Sequence, residues 1–148
     1  QINWGEKGYV PMTEVWKGPL LYDTFAVKYQ LDSNKINTYE SFIKDCIRSK
    51  VKLYIFLSPK YENFNKNEQS VVIGQSIAKK YRIPFFDFTY DPYFRNHKEL
   101  FADEGHLNDN GAKIYTEWVI DSIMKNEKQI NSIQDQVNTN NIYSTISR

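Results

Sequence analysis

From Asn37 onward the chain alternates between two hydrophobic periods. Tyr39, Phe42, Ile43, Cys46 and Ile47 recur at helix spacing behind Asn37-Thr-Tyr-Glu40, a sequence close to a capping box. Ser49-Lys50 closes that helix. Val51-Lys-Leu-Tyr-Ile-Phe-Leu57 follows as a β-branched and aromatic run of strand length, and its near-continuous apolarity suits a central parallel strand. Ser58-Pro59 ends the run, and 61–66 is a polar loop rich in Asn and Lys. A second helix starts at Asn67 or a near neighbour and carries Val71, Val72, Ala78 and Tyr81, with Lys79-Lys80 near its negative end. Gly74 within it costs about 1 kcal/mol relative to Ala, which suggests a close helix-to-sheet contact. Pro84-Phe-Phe-Asp-Phe88 is the second strand. Thr89 to Leu100 is a loop with Asp91-Pro92 as its turn. Ala112, Tyr115, Val119 and Ile123 then put an apolar stripe on a third helix, 113–124, capped by Asn108 or Asn110.

Helix, strand, helix, strand, helix indicates right-handed βαβ connections and a parallel sheet. Two strands make a marginal sheet by themselves, so further strands are expected. Residues 1–32 read as an irregular N-terminal arm punctuated by Gly5, Gly8, Pro11, Gly18 and Pro19. Within it Phe25, Val27, Tyr29 and Leu31 alternate with other residues, a period-2 signal for a strand or extended segment. Trp4, Tyr9, Trp16 and Tyr22 either pack over a sheet edge or line a groove. Past Asn126 the apolar content thins. Ile130, Ile133 and Val137 keep a weak helical spacing, and 127–148 reads as a polar C-terminal extension. No internal repeat is visible.

Composition removes several function classes. The net charge of +1 gives no overall electrostatic case for nucleic acid or an anionic membrane. No run of 18 apolar residues is present, so no membrane span is expected. Cys46 is the one cysteine, which excludes an intrachain disulfide and most cysteine-based metal sites. Its place on an apolar helix face predicts a buried thiol. No signal-peptide pattern opens the chain.

The chemistry concentrates in Phe101-Ala-Asp-Glu-Gly-His-Leu-Asn-Asp-Asn-Gly-Ala112. Asp103 and His106 stand three apart on a Gly-containing loop ahead of a capped helix. A carboxylate beside an imidazole fixes one tautomer, so that the other ring nitrogen can take a proton from a nucleophile. Glu104 faces solvent in this reading. His97, between Arg95 and Lys98 and without an acidic partner, is a surface residue, and no metal site is expected. Ser58 is a poor nucleophile. It lacks the small flanking residues of a Gly-x-Ser-x-Gly elbow, and Pro59 removes an oxyanion donor.

The phrase Asp-x-x-His-Leu-Asn-x-x-Gly-Ala at 103–112 resembles the last sequence block of the GDSL-type (SGNH) hydrolases. The likeness extends from about Asn34 to Asn126, through Ser58-Pro-Lys-Tyr61 and Ile83-Pro-Phe-Phe-Asp-Phe88. No Gly-Asp-Ser, Gly-Asn-Ser or Gly-x-Asn-Asp block is present. The resemblance implies a three-layer α/β/α fold with a parallel, flavodoxin-like sheet, with 33–126 an incomplete C-terminal part of that domain. Gln1 then reads as an internal or processed start. It implies ester hydrolysis or acyl transfer on an acyl ester or O-acetylated carbohydrate, without a cofactor. Asp103 and His106 are catalytic, and Ser58, Lys60 and Tyr61 shape the substrate pocket at the carboxyl ends of the strands. The serine comes from a missing N-terminal segment or from a second copy of the chain. The rival reading is a non-catalytic carbohydrate-binding or interaction module that kept the hydrolase fold and lost the serine. Family members acting on envelope or dietary glycans are often exported, and one cysteine is compatible with either compartment.

Overall fold

In the computed structural model, which describes residues 10–19, 21–22, 30–63 and 68–146, helices and short parallel strands alternate. The elements are β1 (Leu21–Tyr22), α1 (Ser33–Arg48), β2 (Ile55–Leu57), β3 (Glu62–Asn63), α2 (Gln69–Lys80), β4 (Phe85–Asp87), α3 (Pro92–Arg95), a 3-10 turn (Lys98–Leu100) and α4 (Asp109–Ile146). Two compact units divide between Tyr115 and Thr116. Among the described residues no helix is long and apolar enough to cross a membrane.

The expected parallel pair is present but shorter than its apolar runs. β2 pairs with β4 in the register Ile55↔Phe85, Phe56↔Phe86, Leu57↔Asp87. Ile55 N–H donates to Pro84 O at 3.0 Å and Phe88 N–H donates to Leu57 O at 3.0 Å, which closes both ends. Val51 cannot begin the strand because its amide donates back into α1, to Cys46 O at 2.9 Å. Phe56 stacks on Phe86 at 4.8 Å, and Tyr115 meets Phe88 edge-on at 5.7 Å. A second parallel pair joins β1 to β3 through Leu21↔Glu62 and Tyr22↔Asn63. The arm and the polar loop therefore hold a strand each, which the sequence pattern did not suggest. The strand expected at Phe25–Leu31 falls almost wholly outside the described residues.

Helix starts differ from expectation for a local reason. α1 begins at Ser33 rather than near Asn37, because Asp32 Oδ1 accepts from Asn34 N at 2.9 Å and Lys35 N at 3.4 Å. α2 begins at Gln69. The segment expected to be a loop before Phe101 contains α3, capped by Asp91 Oδ1 accepting from Tyr93 N at 2.9 Å, and the 3-10 turn. The third helix does not fade near Asn126 and continues to Ile146. Cys46, expected in the core, is half-buried.

α1 and α2 lie side by side and point the same way. Tyr39 OH donates to Gly74 O at 3.3 Å, and one to two turns on Tyr81 OH and Lys80 Nζ donate to Glu40 Oε1 at 2.5 and 2.9 Å. Gly74 thus faces α1 and not the sheet, and a Cβ there would sit 4.0 Å from Tyr39 Cε1, an ordinary contact. Both helices end in the same cap. Lys50 N–H donates to Ile47 O at 3.0 Å while Val51 N–H donates to Cys46 O. Arg82 N–H donates to Lys79 O at 3.1 Å while Ile83 N–H donates to Ala78 O at 2.9 Å. These are Schellman motifs, whose left-handed position is usually glycine. Here Lys50 (φ 56°) and Arg82 (φ 57°) fill it, at a cost of about 1 kcal/mol each.

Burial is concentrated away from the sheet. Phe94 and Phe101 are completely buried and Leu100 nearly so, while every residue of β2 and β4 keeps some exposure. Ile43 of α1, Ala78 of α2 and Pro59 after β2 are also fully buried.

Candidate functional site

The segment 94–101, anchored by the buried Phe94, Leu100 and Phe101, delivers the chain directly into the Asp-His loop. Phe101 and Leu107 form an antiparallel bridge across its neck, and Ala102 N–H donates to His106 O at 2.9 Å. Inside this closed loop Asp103 makes an Asx turn, its Oδ1 accepting from Gly105 N at 2.8 Å. The same carboxylate accepts from His106 Nδ1, with Oδ1 at 2.8 Å and Oδ2 at 2.9 Å. The hydrogen bond expected from the spacing of the two residues is therefore present. Because a carboxylate can only accept, Nδ1 carries a proton, and in the neutral ring this leaves Nε2 as the acceptor. Partial burial alone would raise the Asp103 carboxyl. The Gly105 amide and the His106 ring outweigh it and hold the group below its ordinary value.

The loop is held on two sides. Tyr61 N–H donates to Glu104 O at 2.8 Å, and its ring lies 5.4 Å from that of Phe101. Lys60 N–H donates to Thr89 O at 3.2 Å, so the segments leaving β2 and β4 meet beside the pair. Lys60 and Tyr61 are thus brought to the loop. Ser58 is exposed at the end of β2, next to the fully buried Pro59. Among the described residues no hydroxyl or thiol is hydrogen-bonded to His106 Nε2, and the His106 side chain is 71% exposed. His97 is apart from the pair: its Nδ1 lies 2.7 Å from Tyr93 O and its ring stacks on Tyr93 at 4.3 Å. Among the described residues no group of three metal-ligating side chains forms.

On the other side a strap, residues 10–19, runs along 98–109. Trp16 N–H donates to Phe101 O at 2.7 Å and Asp109 N–H donates to Met12 O at 2.7 Å. Lys98 Nζ donates to Gly18 O. Asn108, only 3% exposed, ties strap, loop and helix together. Its Nδ2 donates to Glu14 O at 3.2 Å and Glu99 O at 2.7 Å, and its Oδ1 caps α4 by accepting from Gly111 N at 3.1 Å. Sequence reasoning offered Asn108 only as one of two caps. Its second role depends on backbone carbonyls in the arm, which leave no residue signature. Comparison with family models, curated proteins and solved structures returns no match to this chain, so the reading of the site rests on its own geometry.

Proposed function

We propose that the chain contributes the His-Asp part of a Ser-His-Asp triad to ester hydrolysis or acyl transfer, on an acyl ester or O-acetylated carbohydrate. The observation that carries this reading is the two-oxygen contact of Asp103 on His106 Nδ1, in a loop braced by the segments leaving β2 and β4. His106 Nε2 takes the proton of a serine hydroxyl as the oxygen attacks the acyl carbon, then returns it to the departing alcohol. Asp103 holds the tautomer and stabilises the imidazolium. Ser58, Lys60 and Tyr61 border the acyl or sugar group. The serine arrives on a segment beyond this sequence or on a second copy. The same addition completes a three-layer α/β/α domain, a reading supported by the half-exposed faces of β2 and β4, which a parallel sheet normally covers.

A non-catalytic carbohydrate-binding module is the second reading, favoured by the exposure of His106 and the lack of a hydroxyl partner among the described residues. Acetate release from O-acetylated oligosaccharide by the natural full-length polypeptide separates the two. The triad reading expects turnover that His106→Ala abolishes and Asp103→Asn lowers on the order of 10³-fold or more. Sugar binding without turnover supports the module. Hydrolysis by the 148-residue chain alone, lost in Ser58→Ala, would instead make Ser58 the nucleophile.

A further inference from the structure

We propose that the edge of the sheet where β2 and β4 begin, opposite the Asp-His loop, is a docking surface for anionic phospholipid headgroups. The inference is independent of the triad. Because α1 and α2 run in the same direction, both discharge their C-termini at this edge. Lys44, Arg48, Lys50 and Lys52 come from the C-terminal part of α1 and the segment after it, and Lys79, Lys80 and Arg82 from the end of α2 and the turn after it. All seven are exposed. The acids on the same two helix ends are Glu40 and Asp45. Seven cations against two acids put +5 on one edge of a chain whose net charge is +1. Overall charge conceals this segregation.

Part of the pattern has a structural cause. Arg48, Lys79 and Lys80 sit in last turns, where cations complement the helix dipole. Glu40 pairs with Lys44 and Lys80, and Asp45 pairs with Arg48. Lys50 and Arg82 are different. They lie past the helices, in left-handed backbone where glycine is the unstrained choice, and have no ion-pair partner among the described residues. Twice over, the chain keeps a strained cation at the same point of the same motif. A residue retained against strain points to what its side chain does.

The neighbours of these cations select the partner. Ile47 and Val51, 46% and 55% exposed, are interleaved with Arg48, Lys50 and Lys52. Exposed aliphatics among cations fit the headgroup and acyl boundary of an anionic bilayer. Nucleic acid would call for a row of open aromatic faces; on these helix ends Phe42, 54% exposed, is a single open ring, and Tyr81 is half-buried with Lys44 and Lys80 over it at 5.8 and 5.1 Å. Docked this way, the Asp-His loop faces away from the membrane.

Vesicle co-sedimentation of the full chain tests this, with phosphatidylcholine vesicles and with equal parts phosphatidylcholine and phosphatidylglycerol. Lys50→Gly/Arg82→Gly is the informative variant, because glycine suits both caps and a loss of binding cannot come from unfolding. The expected result is salt-sensitive binding to the anionic vesicles alone, about 25-fold weaker in the double glycine variant at about fivefold per cation. Lys17→Gln/Lys35→Gln, which removes the same charge from the strap and from the first turn of α1, should leave binding unchanged. Equal loss in both double variants, binding to pure phosphatidylcholine, or no binding to anionic vesicles overturns the proposal. Tighter binding to a single-stranded oligonucleotide than to the vesicles overturns it in favour of nucleic acid.

Discussion

Gly111 has no side chain, yet it fixes how the Asp-His loop leaves for α4. A Cβ at this position would overlap the carbonyl oxygen of Leu100 and crowd Leu107 Cδ2 at 3.0 Å. The Leu100 oxygen already accepts from Asn108 N, so it is backbone that cannot swing aside. Gly111→Ala is expected to cost more than about 2 kcal/mol in denaturant unfolding, well beyond an ordinary helix substitution. A cost under about 0.5 kcal/mol would show that the loop exit is soft. The Asp103–His106 contact was legible in the sequence because both partners lie within one short loop. Asn108 was half legible: its capping position could be read, but not its bonds to Glu14 O and Glu99 O. Side-chain chemistry advertises itself in sequence, whereas a carbonyl acceptor is offered by every residue alike.

At the scale of elements, α1 and α2 carry opposite local errors that substitution can correct. Lys50→Gly relieves left-handed strain and Gly74→Ala adds helix propensity beside a contact with room for it. Each is expected to stabilise by roughly 0.5–1 kcal/mol in thermal or denaturant unfolding. Destabilisation by Gly74→Ala would mean that the Tyr39 approach is tighter than 4.0 Å. The clasp between the two helices has a pH signature. The Tyr81 hydroxyl, then Lys80, hold the Glu40 carboxyl down at about 2, against an ordinary 4.5. A depressed carboxyl contributes fully above its unfolded value and loses that contribution as pH falls through the folded one. The clasp therefore weakens between about pH 4.5 and 2, and Glu40→Gln should flatten the acid-unfolding profile in that window. An unchanged profile would remove Glu40 from the account. Apolar spacing placed these helices correctly, while the start of α1 was set by one side chain, Asp32, against a competing signal at Asn37.

For the whole molecule the pattern of burial matters more than the count of strands. Phe94, Leu100 and Phe101 form a dry base beneath the Asp-His loop, whereas β2 and β4 remain half-exposed. A parallel pair in that condition presents edges that other chains can join. Sedimentation velocity on the 148-residue chain is expected to show association. A monodisperse monomer with cooperative unfolding would mean that the arm itself closes the sheet, and the added segment should be dropped. The alternation of helix and strand was readable from periodicity. The β1–β3 pair was not, since two-residue strands are too short to show a period. The strap has a kinetic consequence. Asn108 meets Glu14 across 94 residues and Lys98 meets Gly18 across 80. Contacts so distant form late, because a long loop must close before they return any free energy. On a ribosome, residues 10–19 must wait for most of the chain to emerge before their partners exist. The helices can form early, but the Asp-His loop takes its final shape among the last events of folding.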